Sequence, residues 1–185
     1  YRITAGELPL VTAIFPLGGQ AGATTPVRLE GWDLPVDTLT LDAKGKPPGI
    51  LPVSVSRGKR VSNSVPFALD TLPECLETEP NDDPRRAQPV KLPLIVNGRV
   101  DRPGDWDVFR LEGRAGDEIV AEVLARRLGS PLDSLLELTD ASGKQLAAND
   151  DFEDKGAGLT THHADSQLLA KLPADERQAL GKDLR

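Results

Sequence analysis

Short apolar runs, each followed by a turn signal, recur along the whole 185-residue chain. The clearest run is 118–125, where Ile119, Ala121 and Val123 alternate with their neighbours and fall on one face. This period of two is typical of a half-buried β-strand, and no stretch shows the sustained 3.6-residue period of a helix. Since 17 Gly and 16 Pro are available to end such runs, the sequence predicts an all-β fold of two antiparallel β-sandwiches in tandem.

The predicted strands fall into two groups. They are 11–17, 26–34, 38–43, 50–56 and 65–70 in the first group, and 90–100, 106–112, 118–125, 134–140, 145–149 and 166–172 in the second. Residues 72–86 between them are polar and contain three prolines, which is typical of a linker. We therefore predict one domain over 1–72 and a second over 73–185. The last stretch, 174–185, is rich in helix formers and predicts a short helix or a frayed tail.

Charge is distributed unevenly over these two regions. The net charge is −7, which argues against nucleic acid as a partner because phosphate binding needs a basic surface. Residues 1–72 carry 7 Lys and Arg against 6 Asp and Glu, whereas residues 73–185 carry 15 against 23. A hard cation would find its oxygen ligands in the second region.

Other classes of protein find little support. No run approaches the 18 or more apolar residues that predict a membrane span, and Cys75 has no second cysteine with which to form an internal disulfide. A nucleophile elbow, an H-E-x-x-H motif and a phosphate-binding loop are all missing, so the chain is predicted not to be an enzyme. The adjacent pair His162-His163 is a poor zinc site, because neighbours on a strand point to opposite faces.

The first region contains two distinctive stretches, 8–19 (LPLVTAIFPLGG) and 25–34 (TPVRLEGWDL). They show a strand that ends in Pro, a Gly-rich turn, and an apolar strand that ends in Gly and a short loop. In this pattern the region resembles the immunoglobulin-like IPT/TIG modules. The resemblance covers about residues 7–70 and implies an immunoglobulin-like sandwich.

The second region contains three short motifs, at 77–82 (ETEPND), 97–100 (NGRV) and 104–109 (GDWDVF). With these motifs it resembles the bacterial pre-peptidase C-terminal (PPC) domain, a family that includes the collagen-binding domains of clostridial collagenases, and residues 129–133 and 146–151 fit the later strands of that family. Two such modules in series are similar to parts of planctomycete-type exported proteins. The resemblance implies a jelly-roll-like sandwich with a calcium site at its opening segment.

Carried over by position, the implied calcium ligands are Glu77, Glu79, Asn81 and Asp107, with Asp105 as a further candidate. The residue types agree with this, since calcium takes six to eight oxygens from carboxylates, amides and backbone carbonyls. The competing interpretation is a solvated acidic loop. Two departures from the family stand out: Arg99 replaces a frequent Ser or Thr, and the closing strands after residue 173 are not recognisable. The second departure predicts a domain that is incomplete at its C-terminus.

Two further features leave alternatives open. Residues 149–154 are acidic enough for a second calcium loop, but they fail the EF-hand spacing and a flexible turn is favoured. Trp32 and Trp106 are candidates for an aromatic platform that binds sugar or peptide, although packing in the core or at an edge is the more common role of such side chains.

The sequence thus predicts a non-catalytic, calcium-binding module of a secreted or cell-surface protein with several domains. Its partners would be other domains of the parent chain, or an extracellular protein or polysaccharide. The alternative is a carbohydrate-binding or collagen-type-ligand-binding module attached to a secreted hydrolase. The first residues show neither the basic nor the apolar region of a signal peptide, so any signal peptide is expected upstream of Tyr1.

Overall fold

The structure, a computed structural model, describes residues 3, 5–152, 164–173 and 178–184, the last segment by its backbone. Strands dominate it, and the prediction of an all-β fold is confirmed. The strands are β1 (Leu10–Phe15), β2 (Gly18–Gln20), β3 (Thr24–Trp32), β4 (Thr38–Asp42), β5 (Gly49–Val53), β6 (Ser56–Arg57), β7 (Arg60–Val61), β8 (Val65–Asp70), β9 (Glu74–Leu76), β10 (Gln88–Pro89), β11 (Ile95–Asn97), β12 (Trp106–Arg110), β13 (Glu118–Glu122), β14 (Ser134–Asp140), β15 (Gln145–Asn149), β16 (Gln167–Lys171) and β17 (Gln178–Leu184). A single 3-10 turn, Arg126–Leu128, lies among these described strands.

Contacts divide the chain into two compact units, residues 1–76 and 77–185. The first unit has two three-stranded sheets, ordered β1-β3-β4 and β2-β8-β5, and a short β6-β7 hairpin. Most pairs are antiparallel, but β2 runs parallel to β8. Apolar side chains from both sheets, among them Val27 and Phe67 at 0% exposure, form the core between them. Such alternating inward-facing side chains are what the sequence pattern predicts for a sandwich.

The second unit packs a five-stranded sheet, ordered β10-β12-β17-β14-β15, with the two-stranded sheet β13-β16. Its core joins Leu136 and Leu138 of β14 to Ile119 of β13 and Leu168 of β16. β10 and β12 are parallel over two residues, and the pairs β12-β17, β13-β16, β14-β15 and β14-β17 are antiparallel.

The predicted strands agree with the structure best where alternation is longest. β14 and β15 have the predicted bounds, and β13 and β16 differ from theirs by a few residues. The prediction of one strand over 90–100 is wrong, since only Ile95–Asn97 is a strand there. The predicted linker 72–86 also contains a strand, Glu74–Leu76. Pro93 and Pro80 interrupt these segments, which explains why regular pairing is brief in both.

The prediction of a helix or frayed tail after Leu172 is wrong. Gln178–Leu184 is a strand, and it lies between β12 and β14 in the middle of the five-stranded sheet. Leu180 pairs with Phe109 on one side and with Leu138 on the other. The two neighbouring strands offer backbone N–H and C=O groups that need partners, and this non-local demand overrides a weak local preference for helix.

The described part of the chain contains no helix of the length and apolar character that crossing a membrane requires.

Candidate metal centre

The opening segment of the second unit is irregular, and it is fixed by hydrogen bonds at several points. Glu77 N donates to Asn97 O at 2.9 Å, and Thr78 N donates to Gln88 Oε1 at 2.7 Å. Farther along, Val108 N donates to Asn81 O at 3.1 Å, which attaches the segment to β12. These bonds bring the start of the unit beside the first residues of β12, although the two stretches are about thirty residues apart in sequence.

Three carboxylates meet where the two stretches approach. One oxygen each of Glu77, Glu79 and Asp107 can be chosen so that all three lie within 4.8 Å of one another. Asp107 is buried at 1% exposure, Glu77 is half-buried and Glu79 is exposed. Two oxygens on opposite sides of a calcium ion lie about 5 Å apart, because each Ca–O bond is about 2.3–2.6 Å. The spacing therefore fits one cation, and without one the three negative charges repel each other.

Asn81 lies against this group and is completely buried. Its Nδ2 donates to Glu77 Oε1 at 2.9 Å, and its backbone N donates to Glu79 Oε2 at 3.0 Å. Among the described residues, none donates a hydrogen bond to Asn81 Oδ1, which has less than 1 Å² of accessible surface. A buried amide oxygen without a donor lowers the stability of the folded state by about 1–3 kcal/mol. A cation that binds this oxygen would recover that stability.

Asp105 is not a member of the group of three carboxylates. It is buried at 2% exposure, and its Oδ2 accepts a hydrogen bond from Asp101 N at 2.7 Å. Its Oδ1 lies 3.5 Å from Arg102 Nε. These contacts close the turn that leads into β12, so Asp105 shapes the support for Asp107.

Arg102 is a guanidinium whose pKa these acidic groups influence, and its hydrogen bonds go to Asp82. Its Nη2 donates to Asp82 Oδ1 at 3.1 Å and to Oδ2 at 3.3 Å. The hydrogen bond and charge of Asp82 raise the pKa of Arg102 most, followed by the charge of Asp105, whereas Glu79 contributes least. The Nη2 of Arg102 is thus paired with Asp82 and not with a member of the three-carboxylate group.

Arg99 plays a part that the sequence did not predict. We expected no ligand from this position, and its contribution is a donor: Arg99 N donates to Glu77 Oε2 at 2.8 Å. Both oxygens of Glu77 thus accept a hydrogen bond, one from Asn81 and one from Arg99. Only the motif 97–100 hinted at this, because a backbone donor leaves no trace in the type of side chain.

The second acidic loop is described only in part, since residues 153–163 lie outside the described residues together with His162 and His163. At its start, Asn149 has a structural role. Its Oδ1 accepts from Gln167 N at 2.7 Å and its Nδ2 donates to Asp151 O at 2.9 Å, so β15 is fixed to the start of β16.

Three other side chains singled out in the sequence, those of Trp32, Cys75 and Trp106, are not members of the three-carboxylate group. Trp32 is 71% exposed and Trp106 is 42% exposed, so neither has the core position that such residues usually take. Burial, assisted by the charge of Glu74, raises the pKa of the Cys75 thiol above its ordinary value, which disfavours the reactive thiolate.

Comparison with known proteins gives a partial match. No protein-family model matches the chain, and no solved structure matches it significantly. Over 100 residues, about half of this chain, it is 42% identical to a probable subtilase-type serine protease of Deinococcus radiodurans. That stretch is 12% of the length of the protease, so the similarity concerns one small part of a much longer protein.

Proposed function

We propose that this chain is a non-catalytic, calcium-binding β-sandwich module of an exported multidomain protein, of the PPC type in its second unit and the IPT/TIG type in its first. The observation that carries the proposal is the group of Glu77, Glu79 and Asp107 together with Asn81, whose buried Oδ1 accepts no hydrogen bond from the described residues. Its role would be binding, spacing or support of secretion for the domains to which it is attached.

The chemistry of these groups supports calcium over other metals. Three carboxylates and one amide oxygen are hard ligands, which suit calcium or magnesium better than zinc or copper. The two Glu residues come from an irregular segment and Asp107 from a strand, so the ligands are not arranged with regular symmetry, which suits the variable geometry of calcium better than the strict octahedron of magnesium. Backbone carbonyls and water would complete the coordination.

Calorimetry of the full chain with calcium and with a chelator tests the proposal. A ligand that binds only the folded state stabilises it, by about 2.7 kcal/mol when its concentration is 100 times its Kd. We expect calcium to raise the melting temperature of the second unit, and Glu79→Gln to reduce this increase strongly. Glu118→Gln, which removes an exposed charge from β13, is the matched control. Identical thermograms with and without calcium would refute the site.

Attachment to a peptidase is the context that the comparison supports. The shared stretch is a small part of a probable subtilase-type protease, as expected of an accessory module that recurs beside different catalytic domains. We infer secretion or cell-surface display for this chain on the same ground. Expression of the chain behind its native upstream sequence, followed by fractionation, would test this location, and retention in the cytoplasm would contradict it.

Trp32 favours a second candidate function, the binding of carbohydrate by the first unit. Its indole is 71% exposed at the end of β3, and it pairs across the sheet with Leu10, which is 43% exposed. A flat, exposed aromatic surface is suited to stacking against a sugar ring. Titration with oligosaccharides should quench the tryptophan fluorescence, and Trp32→Ala should abolish binding that Trp106→Ala leaves intact. The absence of any response across a glycan array would exclude this function.

A further inference from the structure

Glu77 is held on both sides by the backbone of residues 97–99. Its N donates to Asn97 O, and its Oε2 accepts from Arg99 N at 2.8 Å. Gly98 lies between these two partners, directly against the Glu77 side chain. The carboxylate of Glu77 therefore rests on a stretch of backbone that has no side chain at its centre.

The structure leaves no room for a side chain at Gly98 while the Glu77 carboxylate keeps its position. A Cβ placed there would lie 2.8 Å from Glu77 Oε2, 3.2 Å from its Cδ and 3.5 Å from its Cβ. The first distance is too short for any real contact, so the Glu77 carboxylate would have to move. Gly98 is not among the glycines with positive φ, so an alanine could adopt its backbone conformation without strain.

We propose that Gly98 is a positioning residue for the cation site, because the absence of a side chain there lets the Glu77 carboxylate lie within 4.8 Å of those of Glu79 and Asp107. This inference rests on the proposed calcium function. The atom that must yield is the far end of a flexible, half-buried side chain. Yielding costs the fold little, but it breaks the bond from Arg99 N and takes one ligand out of the group. Gly98→Ala should therefore weaken cation binding while it changes the stability of the fold little.

The test is a calcium titration of the full chain by calorimetry, together with melting curves in chelator and in calcium. We expect Gly98→Ala to melt within a few degrees of the natural chain in chelator, to bind calcium at least tenfold more weakly, and to lose most of the calcium-induced rise in Tm. Arg99→Lys keeps both the backbone N–H and the charge, so it should bind calcium as the natural chain does. Glu77→Gln weakens binding by itself, and adding Gly98→Ala to it should cause no further loss.

Each outcome decides between the two proposals. If the natural chain binds no calcium, the proposed function fails and the role of Gly98 falls with it. If the natural chain binds calcium and Gly98→Ala binds it equally well, the positioning role alone is overturned. A drop in the chelator Tm of about ten degrees or more would also overturn it, since that corresponds to more than about 1 kcal/mol and would make the contact a part of the fold. In that case Glu77→Gln with Gly98→Ala, in which no charged ligand has to be placed, would show the same drop.

Discussion

The two units differ in what they bury. In the first unit the described core is apolar throughout, built from side chains such as Val27, Leu29 and Phe67. All the buried polar and charged side chains of the described residues lie in the second unit; they are Asn81, Asp105, Asp107, Ser134, Asp140, Asp165 and Ser166. A buried polar group is costly unless it is hydrogen-bonded, so the second unit carries constraints that the first does not have.

Most of these buried groups in the second unit hold loops together. Asp140 Oδ1 accepts hydrogen bonds from Ser142 N, Ser142 Oγ and Lys144 N, and so fixes the turn between β14 and β15. Ser134 Oγ and Ser166 Oγ lie 2.8 Å apart and join β14 to the start of β16. Asn81 differs, because its buried Oδ1 receives no donor from the described residues. Satisfied buried polar groups such as Asp140 thus serve the structure, whereas the unsatisfied Oδ1 of Asn81 supports the proposed ligand site.

Phe67→Ala should strongly destabilise the first unit and leave the stability of the second unchanged. Phe67 is fully buried in the apolar core, and truncation of such a side chain costs about 3–5 kcal/mol. Urea unfolding followed by amide exchange should show a large loss of protection in residues 10–70. The calcium-induced stabilisation of the second unit should persist. Simultaneous loss of both units would mean that they do not unfold independently.

Asp165→Ala should destabilise the second unit, lowering its free energy of unfolding by about 3 kcal/mol. The Asp165 carboxylate is buried and accepts bonds from the backbone N of Ala125, Arg126 and Arg127, and from Arg127 Nε at 2.8 Å. Removing it leaves several buried donors unsatisfied. Denaturant unfolding should show the loss in this unit only. Glu122→Ala, which removes the other and more exposed partner of Arg127, should cost less than about 1 kcal/mol.

Removing the Asn63 side chain should have a smaller effect, in the first unit. Its amide donates to Val11 O and accepts from Val11 N, both at 2.8 Å, in the manner of a neighbouring strand at the edge of β1. Asn63→Ala should cost about 1–2 kcal/mol and increase association through the exposed edge. Thermal melting and light scattering measure the two effects. Ser64→Ala, at the exposed next position, should change neither.

Acid should affect the two units differently through Asp165. Burial by itself disfavours its charged form, but the hydrogen bonds from Arg127 and from the three backbone N–H groups outweigh burial and lower its pKa below the ordinary 3.8. A lowered pKa adds stability that is present above pH 3.8 and is lost as the pH falls through the folded value. The second unit should therefore lose more of its free energy of unfolding than an Asp165→Asn variant does as the pH falls below 3.8. Equal slopes would show that folding does not lower the pKa of Asp165.

Much of the fold follows from local pattern. β14 and β15 could be predicted to the residue because Leu136 and Leu138 fall on one face and the turn that follows contains Gly143. Glu77, Glu79, Asn81 and Asp107 could be chosen as candidates because they stand in short motifs, and their role as ligands stays a prediction. Gly98 and the N–H of Arg99 could not, because a backbone donor and an empty volume belong to no residue type.

The C-terminal segment shows which features local sequence determines and which depend on tertiary structure. By itself the sequence determined an all-β chain, its apolar faces and an acidic second half, because alternation and composition act over a few residues. It did not determine the state of Gln178–Leu184, whose local preference points to a helix. Only the assembled sheet decides that this segment is a strand, since β12 and β14 each offer a row of backbone groups to it. Unsatisfied backbone groups on two sides outweigh a preference of a few tenths of a kcal/mol per residue, roughly the spread of helix propensities.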